Sequence, residues 1–168
     1  MLFRSDRVKK LGVANTLIEH HGKLYAYNTD VDGVILGYPC LAASDNILIY
    51  GGGGVIPALL MGIRELNPHA SITILTRRPS ECDAMHCQPR VKILSSEHGI
   101  PDGEVFDALI AAITPDLRLP LPPGSGKGKV AIDLRYGTET TFMADARRKG
   151  YTVQDGMSML DRKSTRLN

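Results

Sequence analysis

The sequence predicts an α/β protein whose core is a doubly wound parallel sheet. Short apolar runs such as "NILIY" show no polar alternation, which is typical of strands that are covered on both faces. Along the chain these runs alternate with segments in which apolar residues recur at helical spacing, as in successive β-α-β units. Four consecutive glycines at positions 51–54 separate the first such run from the helical segment that follows it.

The composition restricts the classes of function that the chain can have. Its 168 residues, 43% hydrophobic and 23% charged, suffice for one domain, or for one domain and part of another. A formal net charge of +2 and an aromatic content of 5% give little support for nucleic-acid binding. No apolar run approaches the roughly 18 residues of a membrane span, and no secretion signal is recognisable. We therefore expect a cytoplasmic protein that binds small molecules and neither nucleic acid nor membrane.

The cysteines agree with a reducing compartment. Cys40, Cys82 and Cys87 are odd in number and show no C-x-x-C spacing. Cys82, His86 and Cys87 are close in sequence, but no fourth ligand is suitably spaced to close a zinc site. The sequence therefore predicts no metal site.

The first elements lie before the glycine run. The segment around "HHG" alternates apolar and polar residues, which predicts a hairpin with strands over Asn15–Glu19 and Lys23–Tyr27. The following "NTDVDGVILGY" offers Thr29 or Asp30 as the N-cap of a short helix.

The remaining elements form the predicted parallel sheet. "NILIY" is its first strand, and the helix after the glycines has apolar residues at Ala58, Leu59, Ile63 and Leu66. The strands "SITILT", "VKIL", "DALIAA" and "KVAIDL" follow in that order. A helix over 139–149 ends at Gly150, and "YTVQ" is the last short strand.

The four consecutive glycines indicate a position where side chains would obstruct a turn or a ligand. Glycines between a buried strand and a helix allow the backbone to turn tightly and to approach a pyrophosphate at the helix N-terminus. Gly51 and Gly53 supply the first half of the G-x-G-x-x-G fingerprint of Rossmann-type domains, and Gly54 is a further small residue. The third glycine is missing, so a tight turn without a ligand is the alternative interpretation.

The end of the second strand of this sheet favours a particular dinucleotide. Domains that bind NAD usually have Asp or Glu there, to accept hydrogen bonds from ribose hydroxyls. This chain has Thr76, Arg77 and Arg78 instead. Two guanidinium groups suit a 2′-phosphate, because arginine forms charge-assisted bidentate bonds with phosphate oxygens. The sequence therefore predicts NADP as the cofactor, with a solvated basic turn as the alternative.

An ordered set of motifs resembles the shikimate dehydrogenase family, which reduces 3-dehydroshikimate with NADPH. The matching segments are, in order, "GVANTL", "NTDVDG", "GGGGV", "TRR", "VAIDLRYGTETTF" and "DGMSML". They extend from about Gly12 to Leu160. The resemblance implies a Rossmann-type doubly wound parallel sheet together with the remnant of a second α/β domain, which binds substrate.

The resemblance also implies roles for individual residues. Substrate would be bound by Asn15, Asp30 and Tyr136, and Asp30 would form the catalytic pair with a lysine. The cofactor would be held at its pyrophosphate by Gly51, Gly52, Gly53, Gly54 and Val55, at its 2′-phosphate by Thr76, Arg77 and Arg78, and near its nicotinamide by Leu134 and Gly156. A positioned proton donor and its charge partner are needed because hydride addition to a ketone leaves an alkoxide.

Several positions depart from the family pattern. Ala111 and Ile113 stand where the family has Asn and Thr near the nicotinamide, and Thr138 replaces a proline. Glu81 stands where a basic residue is common after the arginine motif. A substrate-binding glutamine would fall at Lys163, in a tail that turns polar and loses helical apolar spacing.

These departures lead us to expect a fragment of a two-domain enzyme. The N-V-T-x-P-x-K segment with the family's catalytic lysine has no counterpart in the sequence. We expect residues 1–29 to be the remnant of the substrate-binding domain and residues 30–155 to be the NADP-binding Rossmann domain. Residues 156–168 would be a truncated C-terminal segment, foreign to the enzyme after residue 160.

Two hypotheses of different classes follow. One is an NADP-dependent dehydrogenase acting on shikimate, with quinate or another cyclic hydroxy acid as an open alternative. The other is a dinucleotide-binding module or degenerate homologue without turnover. A homodimer is the assembly considered for either.

Overall fold

A computed structural model describes residues 2–82, 88–122 and 128–164 of the chain. The described N-terminal part contains a small three-stranded sheet with strand order β1-β3-β2. Its strands and its helix are β1 (Leu2–Arg4), α1 (Asp6–Leu11), β2 (Thr16–His20) and β3 (Lys23–Tyr27). β2 and β3 form the predicted antiparallel hairpin, whereas β1 pairs with β3 in parallel.

The main sheet has six parallel strands in the described residues. They are β4 (Asn46–Tyr50), β5 (Ser71–Thr76), β6 (Val91–Ser95), β7 (Ala108–Ala111), β8 (Val130–Asp133) and β9 (Thr152–Gln154). Their spatial order is β6-β5-β4-β7-β8-β9. Counted from β4, this is the order 3-2-1-4-5-6 of the Rossmann fold. The predicted fold class is confirmed.

Helices cover both faces of the main sheet, which explains why its strands are continuously apolar. The remaining helices are α2 (Asp30–Gly37), α3 (Ile56–Leu66), α4 (Thr141–Arg148) and α5 (Met157–Ser164), with 3₁₀ turns at Pro39–Ala43 and Pro79–Cys82. Ile47 and Ile49 of β4 lie in a buried cluster with residues of α2, α3 and α5. Leu48 and Tyr50 point to the opposite face and pack in a second cluster with Phe142 of α4.

Helix α2 connects the two sheets along the chain and lies against α3 and α5. Its approach to α3 is close because Gly62 of α3 has no side chain. A Cβ atom at position 62 would lie 2.7 Å from Cγ1 and 2.8 Å from Cβ of Val34. On its other side, a Cβ atom at Gly37 would lie 2.8 Å from the carbonyl oxygen of Ser158 in α5. Glycine therefore sets the spacing of these three helices.

Some predicted element ends are shifted. The first hairpin strand begins at Thr16 instead of Asn15, and the helix predicted over 139–149 occupies Thr141–Arg148. Strand β1 and helix α1 were not predicted, because elements of three and six residues are too short to show a periodicity.

The C-terminal segment also differs from the sequence-based expectation. The apolar spacing is lost after Leu160, yet the backbone remains helical to Ser164. Polar straight-chain residues are good helix formers, so a helix does not require an apolar stripe in every turn.

Within the described residues, no cluster of His, Cys, Asp and Glu side chains is arranged to hold a metal ion. His86 and Cys87, which the sequence places near Cys82, lie outside those residues. The helices of the described segments also include none with the length and apolarity needed to cross a membrane.

We predict that Gly62→Val lowers the free energy of unfolding by about 1–3 kcal/mol, the usual cost of overpacking a core. The new side chain would have to displace Val34 or separate α2 from α3. Urea denaturation measures the loss. Ala42→Val, at an exposed position of the first 3₁₀ turn, is the control and should stay within about 0.5 kcal/mol. Equal stability of the two variants would contradict the close approach of the helices.

Candidate functional site

A cavity of about 350 Å³ opens at the carboxyl ends of the central strands. Its walls include the residues that follow β4 (51–53), β6 (Ser96) and β7 (112–115), together with the last residue of β5, Thr76, and the two arginines after it. β4 and β7 are the neighbours at which the strand order reverses. In open α/β sheets, ligands bind at this switch point, because the loops after the two strands diverge to opposite faces.

The first two glycines of the run are required by the protein itself. Gly51 has φ +121°, and a Cβ atom there would lie 2.4 Å from the carbonyl oxygen of Ala112 after β7. A Cβ atom at Gly52 would lie 2.6 Å from Oγ1 of Thr76 and 3.1 Å from Sγ of Cys82. The loop after β4 is thus pressed between the ends of its two neighbouring strands.

The next two glycines face open space instead. A Cβ atom at Gly53 or Gly54 would have no protein atom within 4 Å. Gly53 lines the cavity, and its carbonyl oxygen accepts a hydrogen bond of 3.1 Å from the amide of Ile56, the first residue of α3. The loop therefore presents bare backbone beside a helix N-terminus, where unpaired amides and the helix dipole favour an anion.

The end of β5 supplies the positive side chains. Thr76 is buried, and its Oγ1 accepts a hydrogen bond of 3.3 Å from the backbone amide of Arg78. Arg77 and Arg78 are both exposed and line the cavity. The Arg78 guanidinium pairs with Glu81 at 2.8 Å. Within the described residues, Arg77 takes part in no ion pair.

Tyr50 and the segment after β7 form a further wall of the cavity. The sequence assigned no role to Tyr50 or Thr114. The Tyr50 hydroxyl donates a hydrogen bond of 2.6 Å to the carbonyl oxygen of Pro120, and its ring packs edge-on against Phe142 at 5.8 Å. Burial raises the pKa of Tyr50, so the hydroxyl remains a donor. Ile113 and Thr114, which follow Ala112 after β7, also line the cavity. For Thr114 the one available signal was its position after a buried parallel strand, whereas the family resemblance had already placed position 113 near the nicotinamide.

Gly156 lies against the backbone of Leu134 and Arg135, the two residues that precede Tyr136. The amide of Gly156 donates a hydrogen bond of 2.9 Å to the carbonyl oxygen of Arg135. A Cβ atom at Gly156 would lie 2.1 Å from the carbonyl oxygen of Leu134, so only glycine allows this approach. Tyr136 is 58% exposed and lines a separate depression that shares Thr114 with the main cavity.

A buried carboxylate holds the loop that carries Tyr136. Asp133, the last residue of β8, is fully buried and accepts hydrogen bonds from Thr140 Oγ1 at 2.6 Å and from Arg135 Nη2 at 2.8 Å. The hydrogen bond to Asp133 raises the pKa of the Arg135 guanidinium. Arg135 also reaches Asp116, whose pKa is lowered chiefly by the backbone amide of Thr141.

No role for Asp133 follows from the sequence, although it is the charged residue directly after the apolar run "VAI". A buried charge needs a partner and further hydrogen bonds. Here Arg135 and Thr140 come from the same loop, so pairing the carboxylate also fixes the loop's path.

Asn15 and Asp30 both lie at the N-terminus of α2. Oδ1 of Asn15 accepts hydrogen bonds from the amide of Thr29 at 3.0 Å and from its hydroxyl at 3.3 Å. Thr29 occupies the predicted N-cap position, but its hydroxyl bonds to Asn15 instead of the helix backbone. Asp30 is half-buried, and its amide donates to Oδ1 of Asn28 at 3.1 Å.

The predicted site residues therefore form three groups. The main cavity is lined by Gly51, Gly52, Gly53, Thr76, Arg77 and Arg78. Gly54 and Val55 continue the same loop towards α3, outside the cavity wall. The second group is Leu134, Tyr136 and Gly156, and the third is Asn15 and Asp30. Neither of these two groups lines this cavity.

Strand order, glycine loop and switch-point cavity together define a Rossmann-type α/β protein. No protein-family model matches the chain. The chain is, however, 32% identical to the NADP(+) shikimate dehydrogenase of Methylobacillus flagellatus over 93% of its own length and 62% of that enzyme. It is 31% identical to the corresponding enzyme of Colwellia psychrerythraea, covering 93% of the chain and 60% of the relative.

The fold of the chain is also similar to that of solved shikimate dehydrogenases. Shikimate 5-dehydrogenase from Thermus thermophilus in complex with shikimate superposes with a TM-score of 0.78 at 26% identity, covering 98% of this chain and 64% of that one. The same enzyme in complex with NADP(H) and shikimate gives a TM-score of 0.80 at 23% identity, with 98% and 65% coverage. The resemblance to the shikimate dehydrogenase family is confirmed, and the chain spans about three fifths of the length of these relatives.

We predict that Gly51→Ala and Gly53→Ala differ sharply in stability. Gly51→Ala should lower the free energy of unfolding by about 2–4 kcal/mol, because its Cβ would meet a backbone oxygen in a strained conformation. Gly53→Ala should stay within about 0.5 kcal/mol, because its Cβ enters open space. Thermal or urea unfolding without ligand compares them, and similar losses would mean that the turn requires all the glycines.

Proposed function

We propose that this chain binds NADP at the switch-point cavity and is part of an enzyme that interconverts 3-dehydroshikimate and shikimate. The observation that carries the proposal is the open backbone at Gly53 and Gly54 next to the N-terminus of α3, in the loop that lines the same cavity as Arg77. A turn formed only for the fold would not need glycine at positions where a Cβ has no neighbour.

The described residues fit the cofactor at both of its anionic groups. The open space at Gly53 and Gly54, beside the N-terminus of α3, suits a pyrophosphate. Arg77 and Arg78 suit a 2′-phosphate, and the end of β5 bears no carboxylate that would accept from an unphosphorylated ribose. The names of the relatives support the same cofactor, since the similar enzymes are called NADP(+) shikimate dehydrogenases.

The substrate assignment rests on the other two groups of residues. Asn15 is held by its Oδ1, and no hydrogen bond among the described residues uses its Nδ2, which leaves this amide as a donor for a substrate hydroxyl. Asp30 lies two residues beyond Asn28 at the start of α2 and would hold or move a proton together with a lysine. Tyr136, exposed on the loop fixed by Asp133, would contact substrate from the opposite side.

The chemistry divides between cofactor and protein. When bound, NADPH supplies the hydride that reduces a ketone. The protein must orient the ketone, exclude water and provide the proton that the new alkoxide takes up. Leu134 and Gly156, whose backbones lie close together, would pack beside the nicotinamide.

The domain division follows from this assignment. Residues 1–29, which contain the small sheet, would be the remnant of the substrate domain, and residues 30–155 would be the cofactor domain. Residues 156–168 would be the start of the C-terminal segment. A cytoplasmic location and a homodimer are part of the same proposal.

We predict that Arg77→Ala loses about 1.5–3 kcal/mol of NADP affinity, the range for hydrogen bonds to a charged group, and leaves NAD affinity nearly unchanged. The reason is that only NADP carries the 2′-phosphate. Titration calorimetry with both cofactors measures the difference. Arg147→Ala, at an exposed position of α4 outside the cavity, is the control. Equal losses for NAD and NADP would contradict the assignment.

A second experiment tests the reaction. The 168 residues contain no match to the family's lysine motif, so the chain alone should bind NADP but oxidise shikimate slowly or not at all. Joining it to the part of the Methylobacillus flagellatus enzyme that it does not span should raise the rate by about 10²–10⁴-fold, the usual value of acid–base catalysis. NADPH absorbance follows the reaction with shikimate and quinate.

The same joined protein tests the role of Asp30. Asp30→Asn should remove most of the activity while NADP affinity is retained. Full activity of this variant would contradict the role of Asp30, and fast turnover by the short chain would contradict the placement of the catalytic pair. Tight NADP binding without turnover by the joined protein would favour a binding module.

A further inference from the structure

We propose that Glu81 limits how strongly this chain discriminates NADP from NAD, because it competes with the 2′-phosphate for Arg78. The inference rests on the proposed function, since it concerns the same cavity. Glu81 and Arg78 both line that cavity, and Glu81 Oε1 lies 2.8 Å from Arg78 Nη1. An acid is therefore bound to one of the two guanidinium groups that face the expected phosphate.

The local backbone sets up this pairing. Residues Pro79–Cys82 form a 3₁₀ turn, and the amide of Glu81 donates a hydrogen bond of 3.2 Å to the carbonyl oxygen of Arg78. In 3₁₀ geometry the side chains at i and i+3 eclipse each other, which places Glu81 above Arg78.

Buried neighbours keep the turn in place. Cys82, the last residue of the turn, is 1% exposed, and its Sγ lies below Gly52 of the glycine loop. At the other end, the amide of Arg78 is bonded to the buried Thr76. The backbone that carries Glu81 is thus held at both ends of the turn.

The two arginines consequently differ in their readiness to bind a phosphate. Arg77 has no ion pair within residues 2–82, 88–122 and 128–164, so it can bind an incoming anion without losing a partner. Arg78 must give up Glu81 or share its guanidinium with it. The carboxylate also remains close to the added negative charge. NAD has no 2′-phosphate and gains nothing when Arg78 is released.

The size of the effect follows from the exposure of the pair. The Arg78 and Glu81 side chains are 70% and 54% exposed, so water screens their attraction. Exposed ion pairs contribute about 0.2–1 kcal/mol, which corresponds to about a 1.5- to 5-fold change in a binding constant. Glu81 should therefore reduce NADP affinity without abolishing it.

The test is the binding of NADP and NAD to the 168-residue chain by titration calorimetry. Glu81→Gln should tighten NADP binding by about 1.5- to 5-fold and leave NAD binding within about 1.5-fold. Glu139→Gln is the matched control, because Glu139 is also 54% exposed, also pairs with an arginine, and does not line the cavity. This control should leave both cofactors unchanged.

A double-variant cycle separates competition from simple repulsion. If Glu81 acts by holding Arg78, the gain from Glu81→Gln should largely disappear in an Arg78→Gln background. A gain of the same size in both backgrounds would overturn the proposed competition. Unchanged NADP affinity in Glu81→Gln, or equal gains for NAD and NADP, would overturn it as well.

The same titrations distinguish failure of this inference from failure of the proposed function. NADP binding that does not respond to Glu81→Gln counts against the role of Glu81 alone. A chain that binds neither cofactor overturns the proposed function and the role of Glu81 together. Equal thermal midpoints of the variants ensure that the comparison concerns binding and not folding.

Discussion

The contact between the loop after β4 and the end of β7 is the constraint on which the site depends. Gly51 lies so close to the carbonyl oxygen of Ala112 that no Cβ fits between them. Because β4 and β7 are the neighbours at which the strand order reverses, this contact fixes the backbone of the switch point. Gly52 is pressed in the same way against Thr76 of β5. The open glycines that follow can then present backbone amides in a defined position.

A second fixed point lies one strand further along the sheet. Asp133 ends β8 in full burial, and a buried carboxylate is tolerated only with close partners. Arg135 and Thr140 supply them, and Arg135 extends the chain of charges to Asp116. The loop between them carries Tyr136. Steric exclusion thus positions the glycine loop at the main cavity, whereas charge pairing positions the loop that carries Tyr136.

The four glycines have different surroundings, and the sequence predicted only part of this difference. The run predicted a tight turn and a close approach of the protein backbone to a ligand. It did not show which glycines serve the turn and which serve the ligand. The structure assigns Gly51 and Gly52 to packing and leaves Gly53 and Gly54 open. Similarly, "TRR" indicated two equivalent arginines, whereas the 3₁₀ turn pairs one of them with Glu81. Both distinctions depend on neighbours that are distant in space or on a turn too short to predict.

The sequence by itself determined the order of strands and helices from β2 to β9, the parallel sheet and the glycine loop between β4 and α3. Hydrophobic periodicity and glycine act locally, so they can be read without knowing which segments meet. Only the tertiary structure decided which side chains share a cavity and which carry a fixed partner. The close approach of Gly51 to Ala112 and the placing of Asn15 beside Thr29 arise from packing between elements. Such contacts depend on the distances and burial that folding creates, which no local pattern specifies.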